Sequence, residues 1–249
     1  MKKLLHSNTQ APLQTACLKI RDSDHCMEKH SWSELTSQTA FPVAKAGYPL
    51  ILTAAFVTLI FALLEMTLLA LLGVVVAFSF CAFFRDPDRM VPHQAGGIVA
   101  PADGKVIVTD TLESAAFFNG RCKKISIFMS VFNVHVNRIP FDGVVQKVSH
   151  HPGKFFAANR DRASSQNEHN AVFLKTPDNK AICVVQIAGL IARRIICYVQ
   201  PGMDLKKGQR FGLICFGSRL DVYLPDEADI TVTVGDKVKA GTSLIGQFG

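Results

Sequence analysis

Three textures follow one another along the chain. Residues 1–44 are polar and mixed in charge, with neither a 3.6-residue nor a two-residue hydrophobic period. From Pro49 to Phe84 run 36 residues with one charge, Glu65. A single membrane-spanning helix needs roughly 20 apolar residues, so this run is too long for one upright span. It predicts two short spans, about Pro49–Leu64 and Met66–Phe84, turning at Glu65. One long tilted helix is the alternative. After Arg85-Asp86-Pro87-Asp88-Arg89 the pattern changes again. Short β-branched runs appear at Lys105–Val108, Ile125–Val131, Val144–Val148, Ile182–Ile187, Ile195–Val199, Asp221–Leu224 and Ile230–Val234. Gly, Pro, Asn and Asp separate them, which signals a β-rich domain. No long helical period intervenes, which argues against a doubly wound sheet, and a short helical piece is expected near Arg160–Glu168.

A weak internal repeat sits in the β-rich part. Pro201-Gly202-Met203-Asp204-Leu205-Lys206-Lys207-Gly208-Gln209 parallels Val234-Gly235-Asp236-Lys237-Val238-Lys239-Ala240-Gly241-Thr242. Each is a G-x-x-[LV]-K-x-G turn of the kind found in barrel-sandwich domains of the biotinyl/lipoyl type, and each is also what an ordinary β-turn requires. The expected fold is therefore mainly β. A polar, disordered extension (1–44) and a helical membrane hairpin (45–84) precede a barrel-sandwich-like domain (85–249).

Charge and cysteines narrow the setting. The net charge is +7. Beside a membrane anchor this favours attraction to an anionic bilayer surface. No basic stripe interleaved with aromatics points to nucleic acid. Lys45 precedes the apolar run and Arg85 and Arg89 follow it, so both flanks are expected on the cytoplasmic side of the cell membrane. The run starts too deep to be a signal peptide. The seven cysteines include no C-x-x-C pair. That argues against a disulfide framework or a zinc site and for a reducing compartment.

One dipeptide has chemical interest. Gly217-Ser218 interrupts the extended stretch Phe216–Tyr223. A Gly-Ser pair alone is usually a turn. In front of it stand further elements: Phe83-Phe84-Arg85-Asp86-Pro87-Asp88-Arg89, Pro101-Ala102-Asp103-Gly104, Phe128-Met129-Ser130 with Asn133-Val134-His135-Val136-Asn137-Arg138-Ile139-Pro140, His151-Pro152-Gly153-Lys154-Phe155, Ala163–Glu168, and Ile187-Ala188-Gly189. In this order they resemble the phosphatidylserine decarboxylases over about Gly47 to Gly249, most closely their short form. The resemblance implies an enzyme, a carboxy-lyase that converts phosphatidylserine in the membrane to phosphatidylethanolamine. It implies a covalent pyruvoyl group in place of pyridoxal phosphate, and no metal. Removing CO2 from an amino acid leaves a carbanion, and no ordinary side chain offers a carbonyl to absorb it. A Ser218 hydroxyl that attacks the Gly217 carbonyl makes an ester. β-Elimination then cuts the chain into 1–217 and 218–249 and leaves a ketone that forms a Schiff base with the substrate amine. The two fragments are expected to stay associated, in a homo-oligomer.

The resemblance also implies roles for single residues. His135 is the acid/base, since imidazole titrates near neutral pH. Val134 and Val136 are expected on the opposite side of its strand. Asp103 is implied as the orienting carboxylate of an Asp-His-Ser set, although an aspartate before glycine is also a common turn residue. Many relatives carry a second histidine where Arg138 stands, so either His135 serves both reactions or Arg138 holds a substrate oxyanion. His150 and His151 are weaker substrate-site candidates. Arg219 and Asp221 flank the new terminus. Lys154, Arg160 and Arg162 are candidates for lipid phosphate, with a solvated face as the plainer reading. Two other classes compete. A biotinyl/lipoyl-like carrier explains the turns but needs a Met-Lys hairpin that is absent. A zinc peptidase needs a His-x-His pair, and His150-His151 are adjacent.

Overall fold

Two helices stand first among the main elements of the computed structural model, which describes residues 43–158, 166–190, 194–215 and 217–249. Helix α1 spans Tyr48–Leu63 and α2 spans Thr67–Phe83. Pro49 stands in the first turn of α1, where its missing N–H leaves no bond unmade. Between the helices Glu65 adopts a left-handed φ of 57°, which ends the helical hydrogen bonding. The helices pack closely: a Cβ on Gly73 would overlap Thr58 Oγ1. Of all their residues only Phe83 is buried. Lys45–Leu63, which includes a preceding 3-10 turn, is long and apolar enough to cross a bilayer, whereas α2 is shorter at 17 residues. Residues 1–42 lie outside the described residues, as does 159–165, which takes in the first part of the expected helical piece.

The rest is β structure, numbered in chain order. One antiparallel sheet runs β13 (Lys237–Val238), β2 (Gly104–Leu112), β3 (Cys122–Met129), β11 (Ser218–Pro225), β7 (Ala181–Ile187), β6 (His169–Lys175), β5 (Gly143–His151) and β9 (Asp204–Leu205). It curls into a half-barrel. Two three-stranded sheets accompany it: β1 (Gly97–Val99), β14 (Leu244–Gln247) and β12 (Asp229–Ile230), and β4 (Val136–Arg138), β10 (Arg210–Ile214) and β8 (Ile195–Cys197). The architecture is thus one large curled sheet with two small ones. Each copy of the sequence repeat is a two-residue strand, β9 or β13, between turns whose glycines (202, 208, 235 and 241) have positive φ.

β11 is central, and seven of its eight residues are buried. Both faces of the sheet are covered there, so even its alternate polar residues Ser218, Arg219 and Asp221 are buried. Register decides what each face receives. Ser218 pairs with Met129, and Leu220 with Ile127 and Gln186. Side chains opposite one another share a face. Ser218, Leu220, Val222 and Leu224 therefore point into the main core, with Ile125, Ile127, Val172 and Val184. Arg219, Asp221 and Tyr223 point to the other face, where Phe117 and Phe118 cover Cys183, Val185 and Ile187. A third cluster joins Phe83 and Phe84 to Val134, Val136, Leu213 and Cys215. It fixes the end of α2 directly onto the small sheet.

Candidate active site

Ser218 opens β11 and is fully buried, yet its hydroxyl has no hydrogen-bond partner. An unsatisfied buried polar group costs on the order of 1–3 kcal/mol and calls for an explanation. Gly217, on the N-terminal side of the same peptide bond, has φ +62°. The Gly217 carbonyl lies against the backbone of Gly189: a Cβ there would overlap its oxygen and come within 3.0 Å of its carbon. Only glycine fits that contact. Asn167 braces this wall. Its side-chain amide donates to the Phe156 and Ala188 carbonyls (2.8 and 2.7 Å), its Oδ1 accepts from the Phe156 N–H (2.9 Å), and the Ala188 N–H donates to the Glu168 carbonyl.

His135 reaches the same end of the sheet from the other side. The residue paired with Ser218 is Met129. The chain then makes a tight turn in which Ser130 N–H and Oγ both donate to Asn133 Oδ1 (2.9 and 2.7 Å). His135 follows just before β4, and its carbonyl accepts from Ile214, four residues ahead of Ser218. The imidazole is 1% exposed, and neither ring nitrogen has a partner. Phe83 of α2 lies over it, with ring centroids 4.2 Å apart. Val134 and Val136 on either side of it are also buried, packed against the end of α2. No hydrogen bond joins His135 to Ser218 in this uncut chain.

Burial pushes the His135 pKa down to about 4, helped by the charge of Arg85 and offset in part by the Asn133 backbone. The ring is neutral at physiological pH and has a free lone pair. A stability signature follows. In the unfolded chain the same histidine titrates near 6.5, so between that pH and about 4 the unfolded state takes up a proton that the folded state refuses. The contribution is complete above pH 6.5 and is lost as pH falls. Denaturant titrations should show native protein losing about 2.5 kcal/mol between pH 7 and pH 4.5 that a His135→Gln chain does not lose. Parallel pH curves for the two proteins would contradict a buried neutral imidazole.

A chain of buried amides that sequence reasoning missed runs beside Ser218. Asn170 Nδ2 donates to Gln186 Oε1 (3.1 Å), Gln186 Nε2 donates to Asn137 Oδ1 (2.9 Å), and Asn137 Nδ2 approaches Met129 Sδ (3.7 Å). It links β6 and β7 to β4 and ends at the residue paired with Ser218. Gln186 carried the available signal, as the one polar side chain in the buried run Ile182–Ile187.

The structure does not bring Asp103 to His135. Asp103 Oδ2 pairs with Arg89 Nη2 (2.9 Å) and Oδ1 accepts from the Ala240 N–H (2.7 Å). It joins the segment after α2 to the β13–β14 turn. Arg138 is committed as well. Its guanidinium donates to the carbonyls of Gly208 and Pro87 (both 3.0 Å) and meets Asp86 at 3.4 Å. Burial lowers its pKa to about 10, so it stays charged. Asp86 also binds Arg210 Nε at 2.6 Å, and Arg210 reaches Asp88 at 2.9 Å. The charges of the Arg85–Arg89 stretch thus fasten the helices to the small sheet. The expectation that Arg138 holds a substrate oxyanion gives way to this, because its neighbours already occupy it.

His150 and His151 lie on β5, three strands from β11. His150 is half exposed and stands 3.9 Å from Glu168, while His151 stacks on His169 (4.9 Å). His151 is in register with His169, and His169 with Ile187 and Arg219. That row faces away from Ser218. Arg219 and Asp221 form a buried pair on that face (2.6 Å), extended by Ser126 (2.7 Å) and Lys124 (3.2 Å). Lys154 is exposed, and Arg160 and Arg162 lie outside the described residues. Among the described residues no three His, Cys, Asp or Glu side chains gather as a metal site, and all five cysteines are free.

Comparison with known proteins gives the family. A family-wide profile described as phosphatidylserine decarboxylase matches residues 76–246, from α2 to β14. A phosphatidylserine decarboxylase proenzyme of Syntrophus aciditrophicus is 49% identical over 207 residues, covering 83% of this chain and 97% of the relative. Proenzymes of the same name from Desulfotalea psychrophila (46% over 211 residues, 85% and 99%) and Geotalea uraniireducens (46% over 205 residues, 82% and 96%) are similar along nearly the whole of their length. With the profile reaching from α2 through β11 to β14 and these relatives matched almost end to end, the chain belongs to the phosphatidylserine decarboxylase family.

Proposed function

We propose that this chain is a self-processing decarboxylase that turns phosphatidylserine into phosphatidylethanolamine, with its catalytic carbonyl made from Ser218. One observation carries the reading: in a chain of this family, a buried, unpartnered Ser218 hydroxyl adjoins a left-handed glycine whose carbonyl is pressed against Gly189. These features fit a pyruvoyl precursor. Glycine leaves the Gly217 carbonyl unshielded, and the Ser218 oxygen gives up no hydrogen bond to attack it. His135, neutral and without a partner, takes the hydroxyl proton and returns it to the Ser218 nitrogen as the peptide becomes an ester. Loss of the Ser218 α-proton expels the Gly217 carboxylate. Water then replaces ammonia at residue 218 and leaves a ketone. That ketone supplies the electron sink for the carbanion left when CO2 departs. The chain's own part in turnover is to exclude water around residue 218 and to return a proton through His135.

The two pieces have reason to stay together. Residues 218–249 contain β11, which lies between β3 and β7 in the middle of the large sheet. Cutting before Ser218 leaves both ladders of hydrogen bonds intact.

The domain plan is an extension at 1–44, a membrane anchor at 45–84 and the catalytic domain at 85–249 on the cytoplasmic side. Its support is that α1 and α2 are apolar on all sides, and that Leu63, Leu68 and Phe78 are each about three-quarters exposed or more. Such helices need an apolar surrounding, and a lipid substrate places one next to the site. The carrier alternative has no comparable support, since it assigns no task to Gly217-Ser218.

Intact mass of the purified protein tests the reading. Two polypeptides, 1–217 and 218–249 with a ketone at residue 218, should appear, and the preparation should convert phosphatidylserine in vesicles without added pyridoxal phosphate. A single uncut chain, or a requirement for pyridoxal phosphate, would overturn it.

A further inference from the structure

The turn between β3 and β4 presents apolar side chains to solvent although it connects two buried halves of the site. Val131 is 40% and Phe132 is 84% exposed. Outside the helices, only Met90 among the described large apolar side chains is more exposed. The turn is not loose: Ser130 and Asn133 bond to each other three times, through Ser130 N–H and Oγ to Asn133 Oδ1 and Asn133 N–H to the Ser130 carbonyl. A self-tied turn that holds a phenylalanine outward has a partner to meet.

Its place in the fold says which partner. Arg85 donates from one nitrogen to the Ala82 carbonyl in the last turn of α2 (2.6 Å) and from another to the Phe132 carbonyl (2.7 Å). One guanidinium therefore sets Phe132 level with the end of α2. No linker separates that helix from the domain, because Phe83 and Phe84 are already buried in it. With 17 residues α2 is about 26 Å long, short of a hydrocarbon layer of roughly 30 Å. A short span draws its flanks toward the bilayer. The flank here is the Ser130–Asn133 turn, with Arg85 at headgroup depth.

We propose that the Ser130–Asn133 turn is a membrane-inserting tip, with Val131 and Phe132 entering the bilayer interface beside α2 and opening the site at the level of the lipid headgroups. The proposal rests on the membrane reading of α1 and α2. The turn joins Met129, the partner of Ser218, to the segment that carries His135. A glycerophospholipid could then bring its amine and carboxylate to residue 218 while its acyl chains remain in the bilayer.

The test places a fluorophore at the tip. The chain has one tryptophan, Trp32. The full-length Trp32→Phe/Phe132→Trp protein is reconstituted into phosphatidylcholine vesicles containing some phosphatidylserine, with or without bromine on the acyl chains. Blue-shifted emission quenched by the brominated lipid is the expected result. Water-like, unquenched emission overturns the proposal, as does emission that depends on protein concentration, which would mark contact with a second copy. Chain scission in the same sample reports on the proposed function separately: a cut chain with an unquenched probe refutes the tip and leaves the decarboxylase reading standing. As a second variant, Phe132→Ser should still cut. Its turnover of bilayer phosphatidylserine relative to a short-chain, monomeric phosphatidylserine should fall about tenfold, the scale of one phenylalanine kept out of an apolar phase. An unchanged ratio would count against the tip.

Discussion

A Ser218→Ala chain is expected to remain a single polypeptide of 249 residues with no decarboxylase activity. The loss should be at least about ten-thousandfold, the scale seen when an enzyme loses the group its chemistry depends on. The substitution removes one oxygen that has no hydrogen-bond partner, so no other group is left unsatisfied. The protein should fold with an unchanged far-ultraviolet spectrum. That combination separates a chemical role from a structural one. A serine that held the fold would take the spectrum with it, and a serine with no role would leave scission and turnover as they were. Denaturing electrophoresis and lipid analysis of the same preparation decide the matter. Any cut at 217–218 in this variant would refute the proposed chemistry.

The second large effect is expected at a residue that never reacts. Gly189→Ala places a methyl group where the Gly217 carbonyl oxygen now sits. The carbonyl must move, and displacement of a reacting group by about 1 Å can cost roughly a hundredfold in rate. Scission followed over time by electrophoresis should slow by about that factor, while chains that do cut should regain turnover as fragments accumulate. The variant thus uncouples the rate of making the ketone from its later use. A scission rate within about twofold of the native chain would mean that the carbonyl reacts from a position other than the one pressed against Gly189.

Much of the architecture was legible along the chain because it rests on local patterns. The apolar run gave helices on either side of Glu65. The β-branched runs overlapped observed strands in each case, although in the Ile230–Val234 run only Ile230 is in a strand. β6 and β10 were not foreseen, nor were the short strands β1, β9, β13 and β14. β10 carries Gly212 in mid-strand, and β6 mixes His169, Asn170 and Lys175 with its apolar residues. Such strands are held by their neighbours more than by their own propensity.

The site divides along the same line. Gly217-Ser218 is a property of adjacent residues, and a left-handed glycine beside a serine can be anticipated from the chain alone. Asp103 shows the limit. Its turn was readable, but its partners are Arg89 and Ala240, the latter 137 positions away. Arg138 likewise meets Asp86 and Pro87 across about fifty positions, and nothing near it in the chain marks it as already engaged. The amide chain from Asn170 through Gln186 to Asn137 exists only because register pairs Asn170 with Gln186 and a second sheet brings Asn137 of β4 against them.

By itself the sequence determined the two helices and the β-branched strands and set a glycine beside Ser218, because hydrophobic period and the backbone freedom of glycine are set by near neighbours. Which groups stand around that bond was decided by tertiary structure. Sheet register assigns every side chain to a face, and a slip of one residue would exchange Ser218 for Arg219 in the core.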